Sequence, residues 1–182
     1  MCEKNAYITT YSKIHFTPYC PNLEDISIED IAHSLSMLCR GNGHYKKFHS
    51  VAQHSINCCN EAKARGLSKK IQLCSLLHDA AEAYISDITR PVKQFLEKYI
   101  EIENTLFYTI FQRFDITTIT SEEYNAIFEI DDHILYFEFL HFMDEKIAVK
   151  KPFLKSKPDF SEKSFQENEQ CFLQLYYALK NT

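Results

Sequence analysis

The stretch from Ile71 to Asp87 constrains this chain more than any other. Ile71, Leu73, Cys74, Leu76 and Leu77 make a helix that is apolar almost all round, and such a helix is normally buried. It runs directly into HDAAEAYISD, residues 78–87, which brings a histidine, two aspartates and a glutamate onto or just past the same helix. Ionisable side chains in buried surroundings are costly unless they are paired or bind a metal. His78 and Asp79 are adjacent and Glu82 lies one turn on, so all three can face one small volume. The expectation is one wall of a metal site.

The other walls must come from what surrounds that helix. Three Gly and five Pro in 182 residues leave few places for turns, which favours long helices over many short strands. The length suits one domain, and no repeat, low-complexity tract or boundary divides it. The sequence therefore predicts an all-α, single-domain bundle over residues 1–182. Residues 1–26 form an irregular arm, 27–143 the site-bearing helices, and 144–182 a loop and a C-terminal helix. Ser27, Ser68 and Ser164 are the expected N-caps, and Pro91 suits the first turn of a further helix. GNGHYKK, residues 41–47, reads as a loop. A helix is expected from about Phe48 to Arg65, stopped by Gly66, and another from Ser121 to about Met143.

Composition also excludes partners. The net charge is −5 and no block of Lys and Arg exceeds a few residues, so a nucleic-acid polymer is not an expected partner. No run has the roughly 18 apolar residues of a membrane span; HILYFEFLHFM comes nearest but carries Glu138 and two His. The N-terminus shows no apolar signal region. Seven Cys without a CxxC pair read as reduced thiols packed as small hydrophobes, consistent with a cytoplasmic setting. With 14 Phe and 11 Tyr, the aromatic surplus admits a homodimer interface.

Helical phase separates candidate ligands from decoys. In the helix after Ser121, Ile127, Ile130, Ile134 and Phe137 define an inward stripe; Asp131 lies roughly 60° from its centre and Asp132 roughly 160°. Asp131 points to the core margin, Asp132 to water, and Glu138 returns to the inner face. In the helix after Phe48, Val51, Ser55, Cys58 and Ala62 face inward, His54 flanks them, and His49 falls on the far side. The expected metal ligands are thus His54, His78, Asp79 and Asp131. Two imidazoles and two carboxylates suit one divalent ion such as Mn, Co, Fe or Zn, with Mg less well matched. Singly these residues prove little, since a lone His beside an apolar stripe is more often a hydrogen-bonded core residue, and a buried Asp is as often an ion-pair partner.

Taken together, IEDIAHSLSMLCRGNGH (28–44), FHSVAQHS (48–55), LLHDAAEAYISDITRPVK (76–93), KYIEIE (98–103) and FEIDDHILYFE (128–138) resemble the HD-domain metal-dependent phosphohydrolases. The resemblance is closest to the small bacterial and phage branch that includes the HD-domain 5′-deoxynucleotidases. It implies an HD helical bundle and the same four ligands that phase selects. It further implies Glu82 and Asp87 at the reaction centre, Glu82 handling a proton and Asp87 holding substrate or water. Arg40 falls near a phosphate-contacting position, and Arg90 and Lys93 sit where they could also meet a phosphate. Where the deoxynucleotidases follow that Arg with an aromatic residue against the sugar, this chain has Gly41; His44 and Tyr45 could supply the packing.

The implied activity is hydrolysis of a phosphomonoester of a small nucleotide, best matched by a (deoxy)nucleoside 5′-monophosphate, by a metal-activated water. Two-metal relatives need further His ligands between the His-Asp pair and the last Asp, and no His lies between 79 and 132. The Gly-His of the triphosphohydrolases and the HDxxED of the guanosine tetraphosphate hydrolases are also missing. The alternative from another class is a catalytically silent HD module that binds a nucleotide.

Overall fold

The computed structural model describes residues 6–180. The N-terminal arm carries a small antiparallel pair, β1 (Ile8–Thr9) and β2 (His15–Phe16), in the register Ile8 with Phe16 and Thr9 with His15. Eight helices follow: α1 (Ile28–Met37), α2 (Val51–Ala64), α3 (Lys69–Leu77), α4 (Glu82–Ile85), α5 (Arg90–Lys93), α6 (Glu97–Arg113), α7 (Ser121–Phe142) and α8 (Phe165–Lys180). The fold is all-α apart from that hairpin of two-residue strands, which the expected irregular arm did not include. Among the described residues no helix is long and apolar enough to cross a membrane.

Local chemistry explains most helix starts. The Ser27 hydroxyl accepts from the backbone N–H groups of Glu29 and Asp30, and the Ser68 hydroxyl from that of Ile71. Thr120 and Glu123 form a reciprocal capping box at the head of α7, and Ser164 and Glu167 exchange the same bonds ahead of α8. Ser50, which accepts from the N–H of Gln53, starts α2 at Val51, three residues later than expected.

The layout places α2 at the centre, packed against α1, α3, α7 and α8, with α3 also packing on α7 and α8 and α1 on α4 and α8. Leu35, Leu76, Leu77, Leu106, Ile110 and Phe172 are fully buried in the main core. A smaller cluster of Cys58, Ala62, Ile130 and Ile134 fills the seam between α2 and α7. These contacts bring the ends of α2 and α3 and the middle of α7 together.

The α-helical winding stops sooner than the sequence predicts. Helix α3 ends at Leu77, with His78 as its C-cap. From there to Tyr84 the backbone tightens into i-to-i+3 hydrogen bonds: Ala80 to Leu77, Glu82 to Asp79, Ala83 to Ala80 and Tyr84 to Ala81. At three residues per turn side chains three apart eclipse, so Asp79 and Glu82 still share a face. No Gly or Pro marks this change, and the small residues Ala80 and Ala81 tolerate the closer approach.

Cys20 also departs from expectation. Cys39, Cys58, Cys59, Cys74 and Cys171 are free thiols, whereas Cys20 is in a disulfide. It lies exposed in the arm, not in the apolar interior that shelters Cys58, Cys59 and Cys74.

Candidate metal centre

His54 is fully buried on α2, one turn past its N-cap, and its Nε2 faces Nε2 of His78 at 3.3 Å. Asp131 of α7 brings Oδ1 to 3.1 Å from His54 Nε2 and 3.8 Å from His78 Nε2. Asp79 Oδ2 lies 3.2 Å from His78 Nε2 and 3.7 Å from His54 Nε2. Four side chains from three separate segments therefore converge on one point. The fit to a cation can be judged from these edges: donors about 2.0–2.2 Å from a four-coordinate ion stand about 3.4 Å apart. The opposite face of each imidazole is engaged as a metal-binding imidazole requires. His78 Nδ1 donates to the Ser75 carbonyl at 2.9 Å, and His54 Nδ1 donates to Glu138 Oε1 at 2.7 Å. In the neutral rings both Nε2 lone pairs then point at the same small volume.

Charge is arranged to the same end. Burial works against charging any of these groups, yet His78 and its neighbours hold Asp79 down at about 2. Burial likewise opposes Asp131, but hydrogen bonds from His54 and His78 keep it well below the usual carboxylate range. Both imidazoles are correspondingly held well above their ordinary value. For His78 burial is outweighed by Asp79 and Asp131; for His54 burial and Arg40 are outweighed by Cys58, Glu138 and Asp131. The positive charge that the carboxylates call for can be protons on the imidazoles or a cation held among the same atoms. The two compete, so cation binding here expels protons.

Glu138 organises the back of the centre. It is fully buried and takes His49 Nε2 at 2.9 Å and His54 Nδ1 at 2.7 Å on one oxygen. Its other oxygen lies 3.4 Å from the Tyr45 hydroxyl and 3.6 Å from Arg40 Nε. Helical phase puts Glu138 on the inner face of α7 but does not reveal this role. His49 corrects the sequence reading: it is buried against Glu138, not on a far side. It precedes the N-cap Ser50, so the helical phase used to place it does not extend to it.

A cavity of about 700 Å³ opens over the centre, lined at its floor by Arg40, His78, Asp79, Glu82, Asp87 and Asp131. Burial, reinforced by the nearby Asp79 and Asp87 carboxylates, pushes Glu82 well above the usual range despite Arg40 and Lys93. Asp87 is also raised, by burial first and by Asp79, against Arg40 and Lys93. Glu82 is thereby biased toward the proton-carrying form.

The four expected cationic or polar contacts fall in different places. Arg40 is buried beside the centre, 3.2 Å from Asp79 Oδ2. Arg90 lines the cavity, bonded to Asp131 Oδ2 at 2.7 Å and Asp132 Oδ1 at 2.5 Å. Lys93 lines it too, bonded to Glu103 at 2.6 Å. His44 is exposed and is not among the lining residues. Tyr45 is, and it explains Gly41. A Cβ on Gly41 would stand 3.3 Å from the Tyr45 ring, and the backbone there is left-handed, with φ of +59°. The ring stacked on Phe142 occupies the space beside Arg40 that a larger residue 41 would need.

One residue of the cluster was absent from the expected ligands. Cys58, one turn after His54 on α2, is buried with Sγ 3.5 Å from His54 Nε2, and His54, Cys58 and His78 form a group able to hold a metal ion. Its i+4 spacing from His54 was the available signal.

Fold and site together define an all-α protein with a buried group of metal-binding character under a deep cavity. No family model matches the chain. It is similar to the uncharacterized protein YfdR of Escherichia coli (strain K12), 36% identical over 116 residues, which is 64% of this chain and 62% of that protein. It is also similar to the uncharacterized protein RCAP_rcc00048 of Rhodobacter capsulatus, 37% identical over 105 residues, 54% of this chain and 53% of the relative. The match thus spans less than two thirds of either relative, and neither name states an activity.

Proposed function

We propose that the chain is an HD-type metal-dependent phosphohydrolase that cleaves a phosphomonoester of a small nucleotide, a (deoxy)nucleoside 5′-monophosphate fitting best. The observation that carries this reading is the convergence of His54, His78, Asp79 and Asp131, each imidazole anchored through its other nitrogen, at the floor of a cavity. One divalent ion, Mn, Co, Fe or Zn in preference to Mg, suits two nitrogen and two carboxylate donors. Such an ion supplies acidification and orientation of a water for attack on phosphorus.

The chain's own residues do the rest. Arg40 places a fixed positive charge beside the centre where a phosphate oxygen would arrive, and burial keeps water from weakening it. Glu82, held toward its protonated form at the cavity floor, can hand a proton to a leaving alkoxide; Asp87 is placed to hold water or substrate. Lys93 and Arg90 also line the cavity, Arg90 directly against Asp131, and a phosphate could draw them from Glu103 and from Asp131 and Asp132. Phe107, Tyr108, Tyr124, Phe128 and Phe139 give the walls an aromatic character suited to a nucleobase.

The test is phosphate release from a panel of nucleoside 5′-monophosphates with Mn, Co, Fe, Zn and Mg in turn. Wild type should release phosphate only with added metal. His78→Ala and Asp131→Ala should abolish release, and Glu82→Gln should lower it by about 100-fold or more. Equal rates in wild type and the ligand variants would contradict the proposal. Tight ion and nucleotide binding without release would favour the silent module.

A further inference from the structure

Resting on the metal-centre reading above, we infer that Cys58 is itself a ligand, so that the centre is a thiolate-containing site selective for zinc or cobalt over manganese and magnesium.

Four polar groups crowd around one atom. His54 Nε2 has Asp131 Oδ1 at 3.1 Å, His78 Nε2 at 3.3 Å, Cys58 Sγ at 3.5 Å and Asp79 Oδ2 at 3.7 Å. A ring nitrogen offers one proton or one lone pair and can satisfy one such neighbour. A single cation among them satisfies all. Sulfur fits the geometry as a fifth donor: with metal–nitrogen and metal–sulfur bonds of about 2.1 and 2.3 Å, the roughly 90–120° angles of a five-coordinate ion set the two donors about 3.1–3.8 Å apart. The observed 3.5 Å matches.

The surroundings of the thiol point the same way. Cys58 is 1% exposed and packs on Ala62, Ile130 and Ile134 on its apolar side. On its other side the sulfur meets the centre, at His54 Nε2. Its place one turn after His54 sets both side chains on the same face of α2, so the helix that delivers the first imidazole delivers the sulfur without further adjustment.

The consequence is selectivity. Thiolate with two imidazoles favours Zn, Co(II) and Fe(II), whereas Mn and Mg prefer oxygen donors. The coordinated thiol gives up its proton to solvent, adding one negative charge to the centre.

The experiment is titration of the full-length, metal-stripped protein with Co(II), followed by near-ultraviolet absorption, for wild type, Cys58→Ser and Asp131→Asn. Wild type should bind one Co(II) with a thiolate-to-cobalt charge-transfer band. Cys58→Ser should bind it at least tenfold more weakly and lack the band, with Mn affinity little changed. If wild type binds Co(II) without the band, with Asp131→Asn abolishing binding and Cys58→Ser leaving it unaltered, the centre stands and Cys58 only packs. If wild type binds no Co(II), the centre and the ligand assignment fall together. Circular dichroism of each variant, with Cys58→Ala as a second replacement, separates lost ligation from lost folding.

Discussion

Glu138 shows what a single side chain contributes here. Its carboxylate accepts from His54 Nδ1 and so orients the ring whose Nε2 faces the other donors. Outer partners of this kind typically affect metal affinity by 10–100-fold. Glu138→Gln should therefore weaken Co(II) or Zn binding by about 10–100-fold with helicity unchanged, measured by calorimetric titration and circular dichroism. An unaltered affinity would remove Glu138 from the centre. Gly41 makes a different point at the same scale. Its left-handed backbone and the nearby Tyr45 ring both resist a side chain. Gly41→Ala should cost about 1–2 kcal/mol in denaturant unfolding.

At the scale of elements, the segment after α7 is tied to α2 by a row of polar side chains. Gln53 donates to the carbonyls of Asp159 and Ser161, and Asn57 both donates to and accepts from the backbone of Asp159. Fully buried Glu61 accepts from the N–H groups of Lys155 and Ser156, from the Ser156 hydroxyl and from Arg65. Burial alone would raise its pKa, but Arg65, Ser156 and Lys155 hold it below the ordinary value of 4.5. A carboxylate depressed by folding stabilises the fold above its unfolded value, and that contribution is lost as pH falls through the folded value. Glu61→Gln should cost about 1–3 kcal/mol near neutrality. The gap from wild type should close as the pH drops beneath 4.5. A gap independent of pH would contradict this assignment.

The helix starts were legible because caps are local chemistry: Ser27, Ser68 and Ser164 sit beside the N–H groups they accept from. His54 and Asp131 were legible because phase holds inside a helix. His49 was not, because it lies before the N-cap where phase has no meaning. The tightening after Leu77 left no mark, since an apolar run passing into Ala80 and Ala81 reads the same in either winding. Gln53, Asn57 and Glu61 fall four residues apart and look like a solvated face; only the chain 94 to 108 residues later shows that the face is covered. Glu138 likewise meets partners 84 to 98 residues away, a pairing no local pattern carries.

At the scale of the whole molecule, the centre joins segments that otherwise meet through packing. α2, the turn after α3, and α7 each contribute to it. An ion bound there and not by the unfolded chain must stabilise the fold, by about 2.7 kcal/mol at a free concentration a hundred times Kd. Thermal unfolding should therefore shift upward as Zn or Co is added and fall back with a chelator, and Asp131→Asn should remove the dependence. The most direct measurement is anomalous scattering from a crystal of the full chain grown with cobalt. One strong peak is expected, bounded by His54 Nε2, His78 Nε2 and the Asp79 and Asp131 carboxylates. Fully occupied cobalt elsewhere on the protein with none between those four side chains would contradict this expectation.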